Sequence, residues 1–236
     1  MRVVTSIATV LFVIGIPILL VTTWVRFAVN NVGLYEYEFR KYDVTVTTGM
    51  DEDELRWTAN RLITYFNSDE EYIESDLFTE RETEHLKDVK GLIQLAYRLE
   101  VGSLAYIVLY VAAGFALRRG AFWRDLAKRV VWGSGVTVAV LAILGIWAAT
   151  GFDELFVWFH LASFRNDFWQ LYAGDKLLLL FPEGFFNDAA LLVGGAAVLE
   201  ALVIGGLAWA FLRLNRNAGP QEAVSTGGDA GGVTGV

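Results

Sequence analysis

His85 and His160 are the only two histidines in a chain of 236 residues that has no cysteine. Imidazole titrates near pH 6.5, so such a side chain can take up a proton and give it back at neutral pH. Thiolate nucleophiles, disulfides and cysteine-type zinc sites are excluded outright. His85 stands in "ERETEHLKDVKGL", with Arg81 four residues before it and Asp88 three after, so on a helix all three share one face. Asp88 there could hold His85 in one tautomer, as the carboxylate of a catalytic triad does, or form only a surface pair. Arg81 could stabilise developing negative charge or bind a lipid headgroup, or pair with Glu80 or Glu84. His160 stands in "FVWFHLASFRNDFW", among Phe156, Trp158, Phe159, Phe164, Phe168 and Trp169. Asn166 and Asp167 offer an amide donor and a carboxylate to an oxyanion or an amine, although "RND" suits a turn or cap equally well. The rings read as membrane anchors or as the walls of a pocket.

The elements that must position these residues follow from composition. With 55% hydrophobic and 14% aromatic residues, the chain is too apolar for an ordinary water-soluble domain. Apolar runs at 3–29, 92–118, 130–151 and 189–213 are each long enough to cross roughly 30 Å of hydrocarbon as a helix. The first run exceeds a signal-peptide core and no small-x-small cleavage site follows it, so it reads as a retained helix. The expected fold class is a mainly α membrane protein, a four-transmembrane-helix bundle with a small extracytoplasmic cap.

Positive charge gives the orientation. The loop at 119–129, with Arg118 just before it, carries Arg119, Arg124, Lys128 and Arg129 against the single acid Asp125, and Arg2, Arg213 and Arg216 flank the termini. These segments are therefore expected in the cytoplasm, which leaves 30–91 as an outer cap and 152–188 as an outer interfacial segment at the plasma membrane. The outer segments hold most of the acids behind a net charge of −8, and an acidic face offers nothing to neutralise nucleic-acid phosphates. Within the cap, "YEYEFRKYDVTVTTG" alternates and reads as one or two strands or an extended arm. Residues Leu55, Ala59, Leu62, Ile63 and Phe66 are spaced for a helix behind "DEDE". Thr79 with Glu82 forms a capping box whose helix runs toward the second span. Further on, "YAGDKL" reads as a turn and "FPEGFFND" as a Pro-Gly loop before the last span. The Gly-rich stretch 214–236 reads as a disordered cytoplasmic tail. Glu200 lies in the middle of the fourth run, where a carboxylate is costly; Ser134 or Thr137 of the third run could pair with it.

Both histidines fall just outside apolar runs on the same side, so one bundle can make them neighbours. The cap after the first span, "EHLKDVKGL", "WFHLASFRNDFW" and "LFPEGFFND" together resemble the lipoprotein intramolecular transacylase family, over about Val3 to Arg213. That resemblance implies an acyltransferase with no cofactor and no metal, acting on a diacylated lipoprotein within membrane lipid. The sn-2 acyl chain of a diacylglyceryl-cysteine moves to the cysteine's own α-amino group and a lyso-form lipoprotein results. It also implies that His85 and His160 are the catalytic pair. The other candidate residues Arg81, Asp88, Phe159, Phe164, Asn166, Asp167 and Trp169 would bind or orient the substrate. Two other readings stand beside it: a metal-dependent membrane hydrolase using His85, His160 and a carboxylate such as Asp88 or Asp167, without any HExxH spacing, and a non-enzymatic membrane sensor.

Overall fold

The computed structural model describes residues 2–215, and the tail beyond lies outside them. Its elements are α1 (Arg2–Asn30), α2 (Val32–Lys41), α3 (Val44–Thr48), α4 (Glu52–Phe66), α5 (Glu80–Arg118), α6 (Phe122–Ser163), α7 (Lys176–Leu180) and α8 (Glu183–Leu214). No strand occurs among the described residues. Three apolar helical stretches have the length and composition to cross a membrane: Ser6–Asn30, Glu80–Ser163 and Glu183–Leu214. The middle one holds both α5 and α6, which double back at a 3-10 turn over Arg119–Ala121. Contacts that flank this turn show the reversal: Phe115 and Tyr110 meet Phe122 at 5.1 and 6.1 Å between ring centroids, and Arg129 lies 5.4 Å over the Tyr110 ring.

The apolar bundle is knitted by small residues, because lipid tails give apolar helices no reason of their own to associate. Ala197 and Ala201, both fully buried, pack in one cluster with Phe12, Ile16 and Leu20 of α1, and Gly205, one turn further along α8, meets α6. Ser134 of α6 fills the space over Gly205, and Ile16 of α1 presses so closely on Gly133 that neither glycine has room for a side chain. Glu200 is not paired with α6. Trp24 of α1 donates its indole N–H to Glu200 Oε2 at 3.0 Å, the Thr137 hydroxyl turns back to Gly133 O at 2.9 Å, and Ser134 Oγ is buried without a partner. An indole reaches across a helix gap that a short hydroxyl, already committed to its own helix, does not span.

A second core forms the head of the molecule, where α2, α3, α4, α7 and the first turns of α5 enclose Tyr35, Phe39, Leu55, Leu62, Tyr65, Leu86 and Leu180. The strands expected at Tyr35 to Gly49 are instead α2 and α3. The alternation in "YEYEF" is also a helical pattern: Tyr35, Glu38 and Phe39 face inward at the i, i+3, i+4 spacing, and the Asn31 side chain caps the start through Gly33 N. The β-branched run 44–48 makes a single turn between Asp43 (φ 49°) and Gly49 (φ 73°), both left-handed. Helix α4 and the start of α5 form as their spacing predicts, each with a complete capping box, Asp51 with Glu54 and Thr79 with Glu82. The expected Pro-Gly loop at "FPEGFFND" shrinks to its first two residues: Pro182 is the cap residue with extended backbone, its ring disfavours a helical Phe181 before it, and α8 starts at Glu183.

The head is fastened to α8 by a polar cluster. Asp188 accepts from Lys41 Nζ and, at 2.7 Å, from Tyr42 Oη. Burial would raise the Asp188 carboxyl, but its bonds with Lys41, Tyr42 and Glu38 hold it below the ordinary range. Glu38 takes the opposite course: burial first, then the Asp188 charge and the hydrogen bond the two share, lift it from 4.5 to about 7. The two carboxyls thus keep one proton between them at acid pH.

A carboxyl whose folded pKa is raised stabilises the fold fully below its unfolded value and loses that contribution as pH climbs through the folded value. Thermal unfolding in detergent micelles should therefore show the Glu38 contribution declining between pH 4.5 and about 7, and Glu38→Gln should flatten that slope; an unchanged slope would refute the shared proton. Trp24→Phe, which strips a mid-bundle carboxylate of its donor, should lower stability by about 1–3 kcal/mol, with Glu200→Gln at the low end of that range, both read as the unfolding midpoint.

Candidate active site

Helix α5 brings His85 to the site one and a half turns after its cap. Helix α6 brings His160 by a different device. At Gly151 its backbone leaves the helical range (φ −173°, ψ 71°), and the rings of Trp147 and Trp158, which a straight helix would hold about 16 Å apart along its axis, lie 5.9 Å from each other. Residues 152–163 thus turn off the axis of the spanning part and lay His160 against α5. The imidazole centroids are 6.0 Å apart with planes 32° from parallel. Both lie beyond the apolar runs 92–118 and 130–151.

Aromatic rings close the pair off from water. Phe164 touches both, at 5.2 Å from His85 and 5.6 Å from His160. Phe156, Trp169 and Phe159 surround His160 at 4.2, 5.1 and 5.5 Å. His85 is left 9% exposed and His160 7%, so neither can be charged without losing hydration. Burial accordingly draws the His85 imidazole down from 6.5 to about 4, helped by the neighbouring His160 and opposed by Asp88. His160 is lowered by burial too, with the Phe156 carbonyl acting the other way.

The tautomers follow from their partners. His160 Nδ1 lies 2.7 Å from the Phe156 carbonyl oxygen. A carbonyl only accepts, so Nδ1 carries the proton and Nε2 presents a lone pair. His85 Nδ1 is buried with no hydrogen-bond partner, an unmet demand beside the second imidazole. The arrangement offers two neutral imidazoles in a dry enclosure, fit to take a proton from one substrate atom and deliver it to another.

The other candidates divide by what they touch. Phe159, Phe164 and Trp169 line the imidazoles. Asp88 does not hold His85: its Oδ2 accepts from Asn166 Nδ2 at 2.8 Å, and it reaches His85 through its field alone. Asn166 is occupied in a turn, its Oδ1 accepting from Phe168 N at 3.1 Å. Arg81 donates to the carbonyl oxygens of Asp167 and, at 3.0 Å, Gln170, and lies 5.2 Å over the Tyr172 ring. Asp167 thus serves through its main chain while its side chain faces outward. No group of three or more Asp, Glu or His side chains among the described residues is placed to share one ion.

Two charged residues of α5 escape a reading based on chemistry alone. Glu82 is fully buried, its Oε1 accepting from Leu177 N at 2.7 Å and its Oε2 from Thr79 N at 2.7 Å. Its capping-box spacing was the only trace of it in the sequence. Lys90 is buried with its ammonium on the Glu70 carbonyl and 4.3 Å over the Tyr65 ring; nothing in its spacing marks it.

Fold and site together define a helical integral membrane protein with a buried pair of neutral imidazoles at one end of its bundle. A profile of the family described as lipoprotein intramolecular transacylase Lit matches residues 10–186. The chain belongs to that family. The in meso structure of the membrane integral lipoprotein intramolecular transacylase Lit from Bacillus cereus superposes with a TM-score of 0.78 at 19% identity, covering 93% of this chain and 100% of that one. Two structures of variants of that protein with a histidine replaced, by arginine or by alanine, match at TM-score 0.72 and 20% identity, covering 91% and 90% of this chain and 94% and 96% of theirs. At such identities the likeness speaks for the fold. An uncharacterized protein of Aquifex aeolicus (strain VF5) is 25% identical over 129 residues; the chain spans about half, 54%, of the length of this curated relative.

Glu82→Ala would strand the buried N–H groups of Leu177 and Thr79 together. The expected loss is roughly 2–4 kcal/mol, measured as the unfolding midpoint, with Glu82→Gln recovering part of it.

Proposed function

We propose that the protein is an acyltransferase that moves the sn-2 acyl chain of a diacylglyceryl-cysteine onto the α-amino group of the same cysteine, leaving a lyso-form lipoprotein. The observation that carries this reading is the pair of neutral imidazoles 6.0 Å apart inside a cage of rings. The substrate supplies both nucleophile and ester, so the enzyme needs only to align them and to move protons. The amine nitrogen attacks the ester carbonyl carbon, and His160 Nε2 takes the proton that the nitrogen sheds. The C–O bond to the glyceryl oxygen then breaks, and a proton passes to that oxygen through His85. One N–C bond forms, one C–O bond breaks, and the proton lost by nitrogen is restored on oxygen. Alignment of amine and ester in a confined space can lower the barrier by on the order of 7–11 kcal/mol in favourable cases. Exclusion of water by Phe164 and Trp169 keeps hydrolysis from competing.

The proposal includes a topology of four crossings, by α1, the apolar part of α5, α6 up to Gly151, and α8. The basic turn between α5 and α6 then faces the cytoplasm with both termini, and the acidic head and the histidine site face outward at the plasma membrane. In that frame Trp158, Phe159, Leu161 and Tyr172, all exposed, sit at headgroup level, where aromatic rings concentrate. The diacylated substrate would reach the site with its chains still in the leaflet. A metal-dependent hydrolase has less support, since Asp88 is committed to Asn166 and points no free carboxylate at the pair.

Co-expression with a diacylated lipoprotein, followed by mass spectrometry of its N-terminal lipopeptide, tests the reaction. Acyl migration to nitrogen is expected from the parent chain, and a loss of at least 100-fold from His85→Ala and from His160→Ala. Unchanged product in both variants would reject the pair. Because both imidazoles titrate below the ordinary value, their loss of lone pairs should lower the rate only below pH 6.5, while any fall above it comes from protonation of the substrate's own α-amine, ordinarily at about pH 8.

A further inference from the structure

Both imidazoles are buried, yet on one side the cover is a single irregular segment, residues 164–175, that joins α6 to α7. It places Phe164 against both histidines and Trp169 against His160. Within itself the segment is held by short turns such as Gln170 N to Asp167 O at 3.1 Å and Asp175 N to Tyr172 O at 2.9 Å. Leu171 packs against the head core, and the polar ties of the segment to the rest of the molecule come from α5. Arg81 grips the main chain at Asp167 and Gln170, on either side of Trp169, and is flanked by the rings of Phe168 and Tyr172 at 5.9 and 5.2 Å. Asp88 receives Asn166.

We propose that Arg81 is a positioning residue of the transacylase site, which by clasping the strap 164–175 on both sides of Trp169 holds the Trp169 and Phe164 rings over the histidine pair. The guanidinium suits this work, since its planar fork reaches two carbonyl oxygens at once. Arg81 therefore acts through main-chain atoms and two rings, without touching the reacting atoms. The strap is one wall of the enclosure, and the clasp sets how firmly that wall is held over the pair. The inference rests on the reading of His85 and His160 as catalytic only for its effect on turnover.

The chain's having just two histidines makes a direct test available, because diethyl pyrocarbonate acylates imidazoles and residue-resolved mass spectrometry separates these two sites from lysine and tyrosine adducts. In the full-length protein in micelles, Arg81→Ala should raise the labelling rate of His160 about tenfold. It should also move the acid limb of the labelling rate up toward pH 6.5, as the rings withdraw; the ionisable groups acting on the pair are the two histidines themselves and Asp88. Arg81→Lys, which can meet one carbonyl but not both in the same plane, should fall between Ala and parent. Asn166→Ala, which frees the other tether, should act in the same direction. Trp24→Phe serves as a destabilised control and should leave labelling unchanged. Labelling and acid limb equal to the parent's in Arg81→Ala would overturn the proposal, as would an equal rise in the Trp24→Phe control. Should Arg81→Ala fail to fold, Arg81→Lys and Asn166→Ala decide by the same measure. Because labelling needs no substrate, it stands even if the lipopeptide assay shows a different reaction. Where that assay does show acyl migration, Arg81→Ala should lower kcat more than it changes KM.

Discussion

Two imidazoles held beside each other and out of water impose the requirement that the rest of this molecule meets. An isolated imidazole in water is a poor fit for an ester that carries its own amine, because bulk solvent competes both for the proton and for the acyl carbon. Enclosure removes that competition but strips the rings of hydration, and the price appears as lowered basicity at His85 and His160. The Phe156 carbonyl offsets part of it by fixing the His160 tautomer. No comparable partner meets His85 Nδ1, and such an orphan is tolerated where a bound molecule supplies the missing group.

Charges along the first turns of α5 meet the main chain more than they meet opposite charges. Arg81 binds two carbonyls of the strap, Glu82 takes the N–H groups of Leu177 and Thr79, and Lys90 reaches the Glu70 carbonyl. An exposed ion pair would be worth little and would fix only two side chains. A charge bonded to backbone fixes the path of a segment, and it satisfies polar groups that the turn or helix end leaves without partners. One helix thus serves as the template on which segments 68–70, 166–170 and 176–180 are laid, and it carries His85 among them.

Much of this was legible where a local rule decides the outcome. Apolar length marked the long helices, the acidic run "DEDE" marked the start of α4 and the Thr-x-x-Glu capping box that of α5, and "YAGDKL" does contain a turn, with Gly174 at φ 99°. The two histidines could be brought together because both lie just past apolar runs on the same side. What escaped depends on packing between distant segments. The pattern at Tyr35 to Gly49 fits two periods, and only a core that accepts Tyr35, Glu38 and Phe39 on one face selects the helix. Asp88 lies at the right spacing to serve His85, yet Asn166, 78 residues away, claims it. The partner of Glu200 likewise comes from α1, at a separation of 176 residues, where no spacing argument applies.

The break at Gly151 shows how one helix can meet two conflicting demands. Up to that residue α6 must run straight between α1 and α8, since Gly133 receives Ile16 of α1 while Ser134, the next residue, fills the space over Gly205 of α8. Beyond it the same chain must cross over α5 to set His160 at His85, a direction that a continuous helix would not allow. A change at one residue separates the two tasks, and the aromatic residues after it can then face the histidine on one side and the surroundings on the other. Phe156 and Phe159 lie one turn apart on this second segment; Phe156 supplies the ring and the carbonyl that hold His160, while Phe159 stays half exposed beside it. The histidine is therefore oriented by its own helical turn, and the strap adds Phe164 and Trp169 to the cover that Phe156 and Phe159 begin. The tautomer of His160 is thus fixed within its own helix, while Trp169 and Phe164 reach it from the separate segment 164–175.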